Sequence, residues 1–183
     1  MRQLTEEETK ALFTKLSLFL GDNIRFLIER EDEDYVFRLH ETRVYYMSKS
    51  VFDLVQCVGR DELASAGTCL GKFTKSGKFR AHITALPYLA KYAKYKVWLK
   101  PGGEQVFLYG NNVLKTHIAR MTENTPQYEG VVIFNLNDVP LGFGVAARST
   151  EQSLKVQPHD IAVFHQADVG EYIRSMETKQ VDY

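Results

Sequence analysis

The first periodic segment of the chain opens at Thr5-Glu6-Glu7-Glu8. A Thr N-cap with Glu three positions on is a capping box, and acidic residues in a first turn suit the positive end of a helix dipole. Leu12, Leu16, Phe19 and Leu20 follow at helical spacing, and Gly21 is placed to stop the helix. A second short helix is predicted over 23–29. Val36–His40 and Arg43–Met47 then read as a hairpin turning at Glu41-Thr42. Ser48 or Ser50 caps a predicted helix through Val51, Leu54, Val55 and Val58, closed by Gly59. A second hairpin is predicted from Thr68 to Thr84 about Lys75-Ser76-Gly77. In its second strand Phe79, Ala81 and Ile83 share one face, and Lys78, Arg80 and His82 share the other. A helix over 86–92 follows.

At Lys94 the texture changes, and we place a domain boundary near Ala93, giving domains 1–93 and 94–183. Tyr95–Lys100 alternates as a strand, and Pro101-Gly102-Gly103 ends it. A helix capped by Asn111 or Asn112 is predicted next, with Val113, Leu114, His117, Ile118 and Met121 inward. From Gly130 the pattern is short strands and tight turns: 131–136, 141–147, 161–166 and 171–174, with a turn at Asn137–Pro140. Repeated short strands of this kind predict a small closed or nearly closed barrel. The fold class is therefore α+β: an N-terminal α/β domain with an antiparallel sheet flanked by helices, then a small β-barrel. A chain of 183 residues can bury roughly 70% of its unfolded surface, so a real core is available.

Charge changes this picture. The chain is neutral overall, with 23 cations and 23 anions, yet the 41 residues between Glu62 and Glu104 contain no acidic residue. They hold eight cations: Lys72, Lys75, Lys78, Arg80, Lys91, Lys94, Lys96 and Lys100. The rest of the chain keeps 15 cations against all 23 anions. A local basic field in a neutral protein is what a polyanion would feel. Phe73, Phe79, His82, Tyr88, Tyr92, Tyr95 and Trp98 are interleaved with these cations and offer stacking surfaces for unpaired bases. The bland alternative is a solvated hairpin edge, which charged residues also protect from aggregation.

Other chemistry is thinly supported. The five His show no H-x-x-x-H spacing and the two Cys no C-x-x-C, so no metal site is expected. There is no G-x-S-x-G elbow and no phosphate-binding loop of the G-x-x-x-x-G-K-[ST] type. Gly142-Phe143-Gly144 lies inside a predicted strand, where a close backbone approach or bulge explains it better than a dinucleotide fingerprint. His117 is expected as a satisfied core His, and Cys57 and Cys69 as buried free thiols. Met1–Lys10 is neither a signal peptide nor a transit peptide, and no run reaches membrane-spanning length. No catalytic residue and no cofactor is expected.

Several stretches carry a resemblance. They are Leu70–Lys75, Lys78-Phe79-Arg80 with His82-Ile83-Thr84, Tyr92–Trp98, Phe107–Asn111, Asp138–Val145 and Phe164–Tyr172, together with the opening Met1–Thr9. Over essentially the whole chain they resemble the "Nip seven" family of eukaryotic large-subunit ribosome biogenesis proteins. The resemblance implies a C-terminal PUA domain, an RNA-binding module, behind a small α/β domain. It implies a non-catalytic RNA-binding factor in pre-rRNA processing and 60S assembly, in the nucleus and nucleolus, working as a monomer with pre-rRNA, the pre-60S particle and other assembly factors, and with no membrane partner. The competing readings are an accessory subunit of an RNA-modification enzyme and a protein–protein adaptor within the pre-ribosome. The candidate RNA-binding residues are Lys72, Lys75, Lys78 and Arg80 on the hairpin, Lys94, Lys96 and Lys100 about the first strand of the C-terminal half, and Arg148 and Lys155 flanking a loop after Val145-Ala146-Ala147. The hairpin face and that first strand are expected to form one continuous basic surface.

Replacing Lys72, Lys75, Lys78 and Arg80 together by Ala is expected to weaken RNA binding. If four phosphates are contacted, log affinity falls with log salt at a slope of about −3 for single strands, and the variant flattens it. An unaltered slope in a folded variant removes the hairpin from the site.

Overall fold

The capping box, hairpins and barrel strands can be compared directly with a computed structural model of the chain, which describes residues 1–59 and 62–174. The chain divides into two compact units, 1–92 and 93 onward.

In the first unit, helix α1 (Glu6–Leu20) has the predicted start: Thr5 Oγ1 accepts from Glu8 N–H, and Glu8 accepts from Thr5 N–H. Arg2 closes onto the Glu8 carboxylate at 2.6 Å. That hydrogen bond, first among the causes, lowers the Glu8 pKa to about 2. A 3-10 turn leads into α2 (Arg25–Ile28). Strands β1 (Tyr35–His40) and β2 (Arg43–Ser48) form the expected hairpin, with Glu41 in the left-handed region at φ 52°. Ser48 caps α3 (Lys49–Val55), which ends four residues before Gly59. β3 (Thr68–Phe73) and β4 (Phe79–Ala81) form the second hairpin, and α4 (Leu86–Tyr92) follows. The strand expected over 78–84 is cut short at Ala81: His82 N–H still donates to Leu70 O, but 83–85 turn into a 3-10 helix.

The sheet is a meander in the order β1-β2-β3-β4, antiparallel throughout. One face carries Phe37, Val44, Tyr46 and Phe79 toward the helices. Phe13 of α1 meets Phe37 edge-on at 5.4 Å, Tyr88 of α4 meets Tyr46 at 5.0 Å, and the Tyr46 hydroxyl donates to Leu27 O. Alternation therefore sends Arg38, His40, Arg43, Tyr45, Lys72 and Arg80 to the other face. α3 covers the Arg38 end of that face, with the guanidinium 4.3 Å over the Phe52 ring.

The second unit comprises β5 (Lys96–Leu99), α5 (Pro101–Leu108), β6 (Val113–Leu114), β7 (Ile118–Met121), β8 (Gly130–Phe134), β9 (Pro140–Ala146), α6 (Thr150–Lys155) and β10 (Ile161–Asp168). The strands run β6-β10-β9-β8-β5-β7 in a near-closed, barrel-like sheet, with only β5 and β8 parallel. Val97, Leu99, Phe107, Val131, Ile133 and Val163 fill its interior.

Three expectations are corrected here. The helix predicted from Asn111 or Asn112 through Met121 is instead strand, 3-10 turn and strand; Ile118, Arg120 and Met121 pair with Leu99, Trp98 and Val97. The helix sits earlier, at Pro101, whose fixed φ suits a first helical position. Its Gly103 is required, because a Cβ there would lie 2.6 Å from His117 Cβ. Residues 171–174, expected as a strand, are helical after the turn at Val169-Gly170. The loop expected after Ala147 contains α6, capped reciprocally by Ser149 and Gln152. The tail beyond Arg174 lies outside the described residues.

Gly142 and Gly144 do mark a close approach. β9 and β10 pass so tightly, beside a bulge at His165–Ala167, that a Cβ on Gly144 would stand 2.3 Å from Phe164 O. Gly144→Ala is expected to destabilise the protein by about 1–3 kcal/mol through overpacking. Urea denaturation measures this, and an unchanged midpoint contradicts it.

Candidate nucleic-acid interface

On the four-stranded sheet, strand register decides which cations meet. His40 pairs with Arg43, Arg43 with Lys72, and Lys72 with Arg80. One row thus crosses all four strands, and Arg43, Lys72 and Arg80 are exposed. A shift in the β2–β3 pairing sets this register: Val44 faces Gly71 and Tyr45 faces Cys69, leaving Leu70 as the extra residue of a bulge. Two of the four hairpin cations named from sequence, Lys72 and Arg80, lie in this row, and Lys75 and Lys78 are exposed about the turn. Arg43 and His40 were missed, because nothing local in the sequence says that they stand opposite Lys72.

In the second unit the alternation of β5 holds. Val97 and Leu99 are buried, and Lys96 and Trp98 point outward. Lys96 lies 5.4 Å over Phe134, Phe134 stacks on Trp98 at 6.0 Å, and Arg120 lies 3.8 Å over the other side of Trp98. Trp98 Nε1 donates to Asp138 Oδ1 at 2.6 Å. Lys94 covers the neighbouring Tyr95 ring, and Lys100 is exposed at the start of α5. The aromatic residues of the acid-free segment are thus largely engaged: Phe79 is buried, and Tyr88, Tyr92 and Trp98 pack on other rings.

Free rings stand elsewhere. Arg148, at the end of β9, is held 3.5 Å from Asp160 and lines a groove with Gln127, Tyr128, His159 and Phe164. Tyr128 is 63% exposed and Phe164 41%. Tyr128 also holds φ at 66°, a backbone region rare for an aromatic residue, while its N–H donates to Ala146 O. Lys155 is exposed at the last residue of α6, seven positions along the chain from Arg148. Two exposed aromatic rings beside a guanidinium and an imidazole suit an unstacked base next to a phosphate.

Cys57, expected buried, is exposed; Cys69 is half-buried, and burial raises its thiol pKa. His117 is half-buried with Nδ1 accepting from Leu114 N–H, and burial followed by the Lys100 charge lowers its pKa. Among the described residues no group of three or more His, Cys, Asp or Glu could hold a metal, and no helix is long and apolar enough to cross a membrane.

A small α/β unit followed by a PUA-type barrel defines the class. The family model described as the NIP7/UPF0113 pre-PUA domain matches residues 1–83, and the one described as the UPF0113 PUA domain matches residues 95–177. The chain belongs to the NIP7/UPF0113 family. It is 61% identical to a 60S ribosome subunit biogenesis protein NIP7 homolog of Xenopus tropicalis, over 97% of this chain and 99% of that one. The homolog of the same name from Danio rerio is also 61% identical, and that from Sus scrofa 59%, each over 97% and 99% of the two chains. Among solved structures, a hypothetical protein from Pyrococcus horikoshii OT3 aligns with TM-score 0.60 at 15% identity, covering 94% of this chain and 96% of that one. A PUA-domain protein from Aeropyrum pernix K1 aligns with TM-score 0.58 at 13% identity, covering 97% and 90%. At such identities the likeness is one of fold.

The basic row leaves a titration signature. His82 lies two residues beyond Arg80, just past the end of β4, and burial first, then the Arg43 and Lys72 charges, lower its pKa from the ordinary imidazole value. His82 is therefore expected to titrate by NMR below about 6.5. Arg43→Gln or Lys72→Gln should raise that value without restoring it fully, since burial remains. Because the native state holds fewer protons here than the unfolded chain, the associated stability is present above the ordinary imidazole pKa and is lost as pH falls through the lowered one. A His82 that titrates at or above the ordinary value contradicts this.

Proposed function

We propose that this protein is a non-catalytic, RNA-binding assembly factor that serves pre-rRNA processing and biogenesis of the large, 60S, ribosomal subunit. The observation that carries the reading is identity of 61% across 97% of the chain with proteins named as 60S ribosome subunit biogenesis proteins. The protein acts as a monomer in the nucleus and nucleolus, with pre-rRNA, the pre-60S particle and other assembly factors as partners.

RNA is held by the cations singled out from the sequence. In the second unit these are Lys94, Lys96 and Lys100 about β5 and Arg148 and Lys155 about α6, with an unpaired base in the groove between Tyr128 and Phe164. In the first unit they are Lys72, Lys75, Lys78 and Arg80. Exposed cations beside solvent-facing rings support this reading, since phosphate contacts supply affinity and stacking accepts any base.

Depleting the protein from cells that normally make it is expected to lower the ratio of free 60S to 40S subunits on sucrose gradients and to accumulate large-subunit rRNA precursors. An unchanged ratio with normal precursors contradicts the assembly role. In vitro, Arg148→Gln with Lys155→Gln should flatten the salt slope of RNA binding by up to about 1.4, at roughly 0.7 per lost phosphate contact. Tyr128→Ala should weaken single-strand binding by about 1–3 kcal/mol while leaving that slope in place.

A further inference from the structure

Opposed like charges on neighbouring strands are destabilising. The four-stranded sheet nevertheless sets Arg43 opposite Lys72 and Lys72 opposite Arg80, all three exposed. His40 closes one end of the row, and His82 lies two residues beyond Arg80 at the other. Among the described residues none of the three permanent cations forms an ion pair. Glu41 stands in the β1–β2 turn, two residues from Arg43, and also makes no ion pair there.

Protection of a sheet edge does not explain the row. Edge strands use Lys and other charges to discourage pairing with a second chain, but β2 and β3 are the interior strands of this sheet. Arg80 lies on the short edge strand β4, but Arg43 and Lys72 are each paired with a strand on both sides. Arg43 also reaches the Tyr45 hydroxyl, but the repulsion within the row costs stability, and such local conflicts concentrate where a function needs them.

We propose that the part of the four-stranded sheet's outer face left uncovered by α3 is a separate binding site for the RNA phosphate backbone, centred on Arg43 and Lys72 and completed by Arg80. This rests on the RNA-binding reading above and extends it inward from the hairpin tip. The row is a line and not a point. Two interstrand steps of about 4.8 Å spread the three charges over roughly 10 Å, more than a single phosphate needs and suited to consecutive phosphates of one strand. Two of the three are guanidinium groups, whose forked donors match phosphate oxygens in pairs. β3 and β4 approach closely beneath the row, where a Cβ on Gly71 would lie 2.1 Å from Arg80 O, so the charges sit on a stiff, tightly paired base.

The test is fluorescence anisotropy of a labelled single-stranded RNA with the full chain across a salt series. It compares wild type, the triple variant Arg43→Gln/Lys72→Gln/Arg80→Gln, and the second-unit variant Arg148→Gln/Lys155→Gln. Thermal unfolding of each is followed in parallel. The triple variant is expected to flatten the salt slope by about 2, at roughly 0.7 per phosphate, and to unfold at the same or a higher temperature because the repulsion is gone. Wild-type binding with an unchanged slope in the triple variant overturns this site and leaves the general RNA reading standing. Absence of RNA binding by wild type overturns both. A triple variant that unfolds at a lower temperature while binding RNA as wild type does makes the row structural and overturns the site. Displacement of the RNA by polyglutamate at equal charge concentration reassigns the row to an acidic protein segment, which also overturns it.

Discussion

A β-strand sends successive side chains to opposite faces, and the four-stranded sheet of the first unit is arranged by that constraint. Phe37, Val44, Tyr46 and Phe79 are turned toward α1 and α4, where rings from Phe13 and Tyr88 meet them. Once that face is committed to the core, the residues between them must point the other way. The pairing register then brings His40, Arg43, Lys72 and Arg80 into one line. The hydrophobic face favours this register, since a slip of one residue would turn Phe37, Val44, Tyr46 and Phe79 away from α1 and α4. The repulsion along the charged row is tolerated because the burial on the other face outweighs it. Structure and charge are thus set by a single geometric rule.

The second unit reaches a similar end by other means. Its barrel interior takes Val97 and Leu99 from β5, leaving Lys96 and Trp98 outside. There cations and rings pack on one another, Arg120 on Trp98 and Lys96 on Phe134. Exposed rings beside Arg148 are those of Tyr128 and Phe164. Glycine makes this arrangement possible: Gly142 and Gly144 let β9 lie against β10 with no room for a Cβ, and the bulge beside them interrupts the pairing near Phe164.

Most of the architecture was legible from local rules. The Thr5–Glu8 capping box, the Glu41 turn and the alternation along β5 each depend on a few adjacent residues, and each appears as read. The largest misreading has a tertiary cause. Val113, Leu114, His117, Ile118 and Met121 satisfy helical spacing, but their neighbours in space are β10 and β5, and ladder pairing overrode the local period. Ser149-x-x-Gln152 was a capping signal that marked α6, yet the surrounding polar residues read as loop. Arg43 illustrates a different limit. Its charge was visible, but its place beside Lys72 depends on a bulge at Leu70 and on pairing between segments some thirty residues apart, which no local pattern encodes. The interleaved aromatic residues suggested stacking surfaces within the acid-free segment; packing instead consumed most of them and left the free rings in a different stretch of chain.

In the proposed mode of binding, RNA meets two β surfaces, the charged row of the first unit and the Tyr128–Phe164 groove of the second. The most direct measurement is an NMR titration of the labelled full-length protein with a short single-stranded RNA, following backbone amides and the guanidinium signals of Arg43, Arg80 and Arg148. Shift changes are expected to cluster at Arg43, Lys72, Arg80 and His82 and, separately, at Tyr128, Arg148 and Phe164. Changes confined to the second cluster, with the sheet signals unmoved at saturation, would contradict this mode of binding.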